Sequence, residues 1–329
     1  MIVSSQFRPA WWCRNRHAQT VYQNLLRPRP RPATRRERLE LPDGDFIDLD
    51  WVGPDSGPLV LLLHGLEGSI RSKYAAGQLA ALKQAGLRGV LMHFRGCSEE
   101  PNRLRRGYHS GETGDLDQVV RVLDAREPDT PKAAVGYSLG GNVLLKWLGE
   151  SGPRCSLRTG VAVSVPFQLA KCSHAVDQGL SRFYREFLMR RMRASYRRKF
   201  LYREDAPYPV DHVDRLIRFR DFDDAITAPI HGFADWKDYY DRSSSLQYLS
   251  GVRVPTLILH ARDDPFMTPD TPPREGDLSE SVRVEISPRG GHVGFVSGRW
   301  PWRPRWWLEE RILRHLQRHL AAGSGGQEN

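Results

Sequence analysis

The chain has 329 residues, 40% of them hydrophobic and 27% charged, with a formal net charge of +10. That balance suits a globular protein with a substantial core; no apolar run reaches the roughly 18 residues of a membrane span, and the opening MIVSSQFRPAWWCRNRHAQT lacks the apolar stretch of a signal peptide. Basicity raises nucleic acid as a partner, but the arginines are spread along the chain without a helix-turn-helix, zinc-finger or RNP pattern, so none is expected; an anionic membrane surface is the acidic partner left open.

The four cysteines, Cys13, Cys97, Cys155 and Cys172, form no CxxC pair and read as reduced thiols of a cytoplasmic protein. In chain order, RLELPDGDFIDLDWV holds Asp43-Gly44 between two strand-like pieces, a hairpin signal. Buried strands are then expected at 58–66, 88–96, 132–138, 159–166, 255–264 and 282–288, because their Val/Ile/Leu runs are nearly continuous rather than alternating. Helical segments at 71–86, 114–126 and 139–150 fall between them. Strand and helix in alternation argue for a doubly wound, mostly parallel α/β sheet.

Residues 167–250 break that rhythm, being far longer than a crossover needs. They contain LSRFYREFLMRRMRASYRRKF (180–200), with Leu180, Phe183, Tyr184, Phe187, Leu188 and Met192 on one stripe and Arg182, Arg185, Arg190, Arg193, Arg197, Arg198 and Lys199 opposed to it. The segment reads as a helical cap inserted into a core made of 1–166 and 251–320. Two readings of its basic helix stay open: packing on the sheet with solvated arginines, or contact with an anionic membrane. A last helix is expected at about 302–320, and 321–329 has the composition of a disordered tail.

The chemistry starts at Gly136-Tyr137-Ser138-Leu139-Gly140, a G-x-S-x-G where a strand becomes a helix. Flanking glycines let the two backbones meet around an exposed serine, the geometry of a nucleophile elbow. Such an elbow requires an acid and then a histidine, each after a later strand. Asp263-Asp264 follows PTLILHA, and His292 follows VRVEISP, in that order. Of the acidic pair, Asp264 is favoured because it precedes Pro265, which biases it to an extended conformation. His260, at a strand end, reads as a core or supporting residue. For the tetrahedral oxyanion of acyl transfer, Leu139 N–H at the helix start and Leu66 N–H of HGLEGS are the expected donors. No H-E-x-x-H, cysteine cluster, P-loop or dinucleotide fingerprint appears, and His93 and His109 have no ligand spacing, so neither metal nor cofactor is expected.

These motifs resemble those of the α/β-hydrolases, and more narrowly of the YheT-like hydrolases and the related animal abhydrolase-domain lipases. The resemblance rests on WWCRNRHAQT (11–20), HGLEGS (64–69), HFRGCSEEPNRLRRGYHSGETGDL (93–116), GYSLGGN (136–142), HARDDPF (260–266) and GGHVGF (290–295). It implies Ser138 as nucleophile, Asp264 as acid and His292 as base, and hydrolysis of short-chain esters or monoacylglycerols. Two other readings share the fold. An acyltransferase would use the same residues with an alcohol acceptor, which product analysis separates. A non-catalytic binding module would not need an intact triad and oxyanion loop.

Overall fold

The computed structural model describes residues 1–321, so that of the tail at 321–329 only Ala321 lies within it. Nine strands form one sheet: β1 Ile2–Ser4, β2 Arg35–Glu40, β3 Phe46–Val52, β4 Leu59–Leu63, β5 Arg88–Met92, β6 Lys132–Tyr137, β7 Thr159–Val163, β8 Thr256–Ala261 and β9 Val282–Ser287. Their spatial order is β1-β9-β8-β7-β6-β4-β5-β3-β2. All pairings from β1 across to β5 are parallel, and β3 and β2 add an antiparallel edge. The fold is that of an α/β-hydrolase. The Asp43-Gly44 signal becomes the β2–β3 hairpin, with Gly44 at φ +85°.

The apolar strands read as they do because both sheet faces are covered. Leu59, Leu61 and Leu63 of β4 enter one core, while Val60 and Leu62 enter the other. The first core is closed by α3 Gly114–Arg126 and α4 Leu139–Ser151, and the second by α2 Lys73–Gln84 and α10 Trp307–Leu320. A short α1, Arg16–Val21, precedes the sheet's antiparallel edge and continues as a π-helical turn, Tyr22–Leu26.

The C-terminal helix begins later than its expected start near 302. Val296–Trp300 (β10) and Arg303–Trp306 (β11) pair as a separate antiparallel hairpin, and α10 starts only at Trp307. Pro301 and Pro304 bias Trp300 and Arg303 to extended backbone. Trp306 is then held between the Tyr22 ring and the Arg27 guanidinium, 4.2 Å from its centroid.

Between β7 and β8 run α5 Leu169–Ala175, α6 Ser181–Phe200, the single turns α7 Phe219–Phe222 and α8 Ala228–His231, and α9 Trp236–Ser243. Met189, Tyr196, Phe200, Val213, Leu216, Phe222 and Ile226 form a small core of their own. Arg193 is 6% exposed in the same helical register, held by Glu186 at 2.7 Å. The basic face is therefore only in part a solvated row: Arg182, Arg190 and Arg198 stay exposed, and the others are engaged. Arg185 is bound by Asp177 at 2.7 Å, Arg197 by Asp214, and Lys199 donates to Asn102 Oδ1 (2.7 Å) and Arg106 O (2.6 Å). The stripe of Phe183, Tyr184, Phe187, Leu188 and Met192 lines a cavity instead of packing on the sheet.

Among the described residues, His64, His109, His231, His260 and His315 are all held below the ordinary imidazole range, chiefly by burial, His64 to about 3 and His260 to about 4. Each is neutral when folded and titrates normally when unfolded, so its contribution is intact above pH 6.5 and is lost as pH falls below it. The loss per imidazole is up to about 1.4 kcal/mol per pH unit. Asp223, pushed up to about 6 by burial, opposes this, as do Asp115, Asp263 and Glu309, also raised by burial, four carboxylates against five imidazoles. Urea midpoints should fall from pH 7.5 to 5.5; an unchanged or higher midpoint at pH 5.5 contradicts this account.

Candidate active site

Ser138 joins β6 to α4 with φ +52° and ψ −119°, a conformation that costs a non-glycine residue energy. Its N–H donates to Val163 O at 2.8 Å, which fixes the turn to β7. The glycines on either side are required by contact. A Cβ on Gly136 would stand 2.4 Å from Gly140 O, and one on Gly140 would stand 2.5 Å from His64 O. The strand and helix backbones thus approach so closely that only the serine side chain projects, into the cavity.

His292 lies in the loop after β9, with Nε2 3.0 Å from Ser138 Oγ and Nδ1 2.8 Å from Asp264 Oδ2. Asp264 is 1% exposed, and its other oxygen accepts from Phe266 N–H at 2.9 Å. An ionised carboxylate only accepts, so Nδ1 carries the proton and Nε2 accepts from the serine hydroxyl. Asp264 makes this contact and Asp263 does not. Asp263 accepts instead from Gly291 N–H at 3.0 Å and so holds the histidine loop from its other side.

Further anchors on that loop have no sequence signal of their own. His292 N–H donates to Thr20 Oγ1 (2.9 Å), Val293 N–H donates to Ser164 Oγ (3.0 Å), and the Phe266 ring stacks on the imidazole at 4.0 Å. Val293, a β-branched residue, is held at φ +55°. Thr20 belongs to the N-terminal block WWCRNRHAQT, where the resemblance marked the block but not the role. His260, as the sequence suggested, is a buried strand residue whose ring faces Phe167.

The loop after β4, where an oxyanion donor is expected, crosses in front of the serine. A Cβ on Gly65 would lie 3.3 Å from Ser138 Cβ. Gly65 N–H donates to Tyr74 OH and Glu67 N–H to Tyr108 OH, both at 2.8 Å, while Leu66 N–H between them has no acceptor among the described residues. Leu139 N–H, at the first residue of α4, has no intrahelical acceptor and lies at the positive end of the helix dipole. Both leucines line the cavity beside Ser138. His64 braces the turn: Nδ1–H donates to Gly65 O at 2.8 Å and Nε2 accepts from Phe94 N–H at 3.2 Å, a neutral tautomer that its depressed pKa preserves. Tyr108 OH donates to Glu67 Oε1 at 3.0 Å, and Ser195 of α6 bonds the other Glu67 oxygen. Asn142 of GYSLGGN ties α4 to Ser110 O (2.8 Å) and Ser243 O (2.7 Å).

The cavity has a volume of about 770 Å³ and is lined by Ser138 and His292 and also by His109, His231 and Asp223. There the fold assembles a group that spacing along the chain did not reveal: one ligand-type atom each of His109, Glu112 and His231 lies within 4.8 Å of the others. Two of its three members have partners of their own. Glu112 is ion-paired with Arg106, and His109 Nδ1 accepts from Gly111 N–H at 3.2 Å, which leaves its proton on Nε2, the atom a metal would need, 3.5 Å from Glu112. His93 is bound to Asp50 at 2.7 Å.

Comparison with known proteins gives the family. The family profile described as "alpha/beta hydrolase fold" matches residues 58–298. YheT of Escherichia coli (strain K12), which carries an esterase name, is 42% identical over 326 residues, covering 98% of this chain and 96% of its own. The chain is an α/β-hydrolase of the YheT-like family. Phospholipase ABHD3 of Bos taurus is 29% identical, covering 91% of this hydrolase and 75% of its own chain. Monoacylglycerol lipase of Saccharomyces cerevisiae is 28% identical over 86% and 63% of the two chains. Among solved structures, the Pyrococcus furiosus esterase Pf2001 superposes with a TM-score of 0.57 at 14% identity, over 89% of this chain and all of its own, a likeness of fold.

The two aspartates of this hydrolase should separate cleanly. Asp264→Asn removes the acceptor for His292 Nδ1–H and should lower kcat on a soluble ester by about 10⁴. Asp263→Asn keeps an oxygen for Gly291 N–H and should cost no more than about tenfold, by analogy with a single lost loop hydrogen bond. The reverse ranking in steady-state kinetics would overturn the assignment.

Proposed function

We propose that this hydrolase cleaves carboxylic esters through an acyl-enzyme on Ser138, acting in the cytoplasm without a cofactor on short-chain or monoacylglycerol-like esters. The observation that carries the reading is the unbroken run of hydrogen bonds from Ser138 through His292 to buried Asp264, ending in a large apolar cavity. Relatives named esterase, phospholipase and monoacylglycerol lipase support an ester or lipid substrate.

In this reading Ser138 Oγ attacks the ester carbonyl carbon while His292 Nε2 takes its proton. The C=O electron pair moves to oxygen, and the oxyanion is met by Leu66 and Leu139 N–H, which have no acceptor of their own among the described residues. Collapse expels the alcohol, which receives the proton from His292, and leaves the acyl group on Ser138. Water then attacks, His292 again moving the proton, and the carboxylic acid departs. Asp264 holds the imidazole tautomer and balances the transient imidazolium. Residues 167–250 serve as a cap on the core of 1–166 and 251–320: Glu67, the residue after Leu66, is bonded to Ser195 and Arg191 of α6.

A fluorophosphonate probe requires both an activated serine and oxyanion donors, so it should label the wild type and fail on Ser138→Ala and His292→Ala. p-Nitrophenyl ester turnover should fall by at least about 10³-fold in both variants. Equal labelling of Ser138→Ala, read by gel fluorescence, would overturn the proposal.

A further inference from the structure

Large apolar side chains that the fold leaves in water gather at the entrance to the cavity. Leu25, Phe183 and Phe187 line the cavity and yet are 60%, 73% and 52% exposed, so they stand on its rim. Leu26 and Leu180, 64% and 60% exposed, extend this surface outside the cavity, next to Leu25 and at the start of α6. Single exposed leucines are ordinary in globular proteins, but five large apolar chains around one opening mark a contact surface.

The two contributors are fastened together. His17 Nδ1 lies 3.0 Å from Tyr184 OH, and their rings stack at 5.8 Å. Tyr184 stacks on Phe266, which covers His292. The rim therefore has a fixed place relative to the proposed base.

Charge says what fits this surface. The acids nearby are already engaged: Glu186 by Arg190 and Arg193, Asp177 by Arg185, and Glu99 by Arg71. Arg16, Lys73, Arg182 and Arg191 have no carboxylate within ion-pair reach among the described residues. Lys73 rests on Leu25 O at 2.6 Å, Arg191 donates one N–H to Glu67 O and lies over the Phe187 ring at 5.7 Å, and Arg182 is exposed beside Phe183. Two copies of this face would bring like charges together, whereas an anionic lipid surface offers both phosphates and an apolar interior.

We propose that this rim seats on an anionic membrane, with Leu25, Leu26, Leu180, Phe183 and Phe187 at the acyl boundary and the four cations against headgroup phosphates. The cavity then opens into the lipid, so that an ester reaches Ser138 without its chain crossing water. That purpose rests on the lipid-esterase reading; the docking itself does not.

The test uses full-length Ser138→Ala protein, so binding is read without hydrolysis. It should float with phosphatidylcholine vesicles containing phosphatidylglycerol at low salt, and bind at least about tenfold more weakly at high salt or to phosphatidylcholine alone. Leu26→Asp/Leu180→Asp should weaken binding by at least about tenfold, with an unchanged melting temperature showing that the fold survives. Arg182→Glu/Arg191→Glu should remove the preference for phosphatidylglycerol. No flotation at low salt, equal binding to both vesicles, or an unaffected leucine variant would overturn the proposal. So would a dimer in sedimentation velocity that Leu26→Asp dissolves, since the rim would then belong to a second copy.

Discussion

The approach of the β6 backbone to α4 at Ser138 constrains the rest of the site. With the carbonyls of Gly140 and His64 at the places where side chains of Gly136 and Gly140 would begin, the turn admits only hydrogen there. The serine is left in a positive-φ conformation, pinned by its N–H to β7. The same turn puts the first free N–H of α4 beside the hydroxyl and forces the loop after β4 to pass in front of both. Strain at one residue is sustained because buried strands on either side, apolar on both faces, leave the backbone nowhere to relax.

The histidine loop is supported from distant parts of the chain. Thr20, Ser164, Asp263 and Phe266 hold residues 291–293 from four directions. This makes the N-terminal segment part of the site: α1 contributes Thr20 to the loop and His17 to Tyr184 of α6. A loop carrying a β-branched residue at positive φ needs such redundancy, because with a single anchor it would relax and withdraw the imidazole from the serine.

The segment between β7 and β8 has its own small core but depends on the sheet's loops for its placement. Lys199 reaches Asn102 and Arg106 O, Ser181 reaches Pro265 O, and Ser195 and Arg191 reach Glu67. Arg95, buried with Asp115 and Asp45, stiffens the long loop after β5 to which Asn102 belongs. A movement of α6 is thus coupled mechanically to the loop after β4 through Glu67 and to the cavity through its aromatic side chains.

By itself the sequence determined the α/β class, the six apolar strands, the Asp-Gly hairpin and the order of Ser138, Asp264 and His292. These are legible because strand burial, turn chemistry and the elbow's glycines are local properties, set by residues a few positions apart. Only the tertiary structure decided which faces of α6 meet what. Periodicity marks Phe183 and Phe187 as apolar but cannot distinguish a core from a cavity rim, and Arg193 as charged but cannot show Glu186 waiting for it. Likewise the pairing of Ile2–Ser4 with β9 and the meeting of His109 with His231 join residues far apart in the chain. Such contacts are settled by how packed layers leave room for one another, a property that no short window of sequence contains.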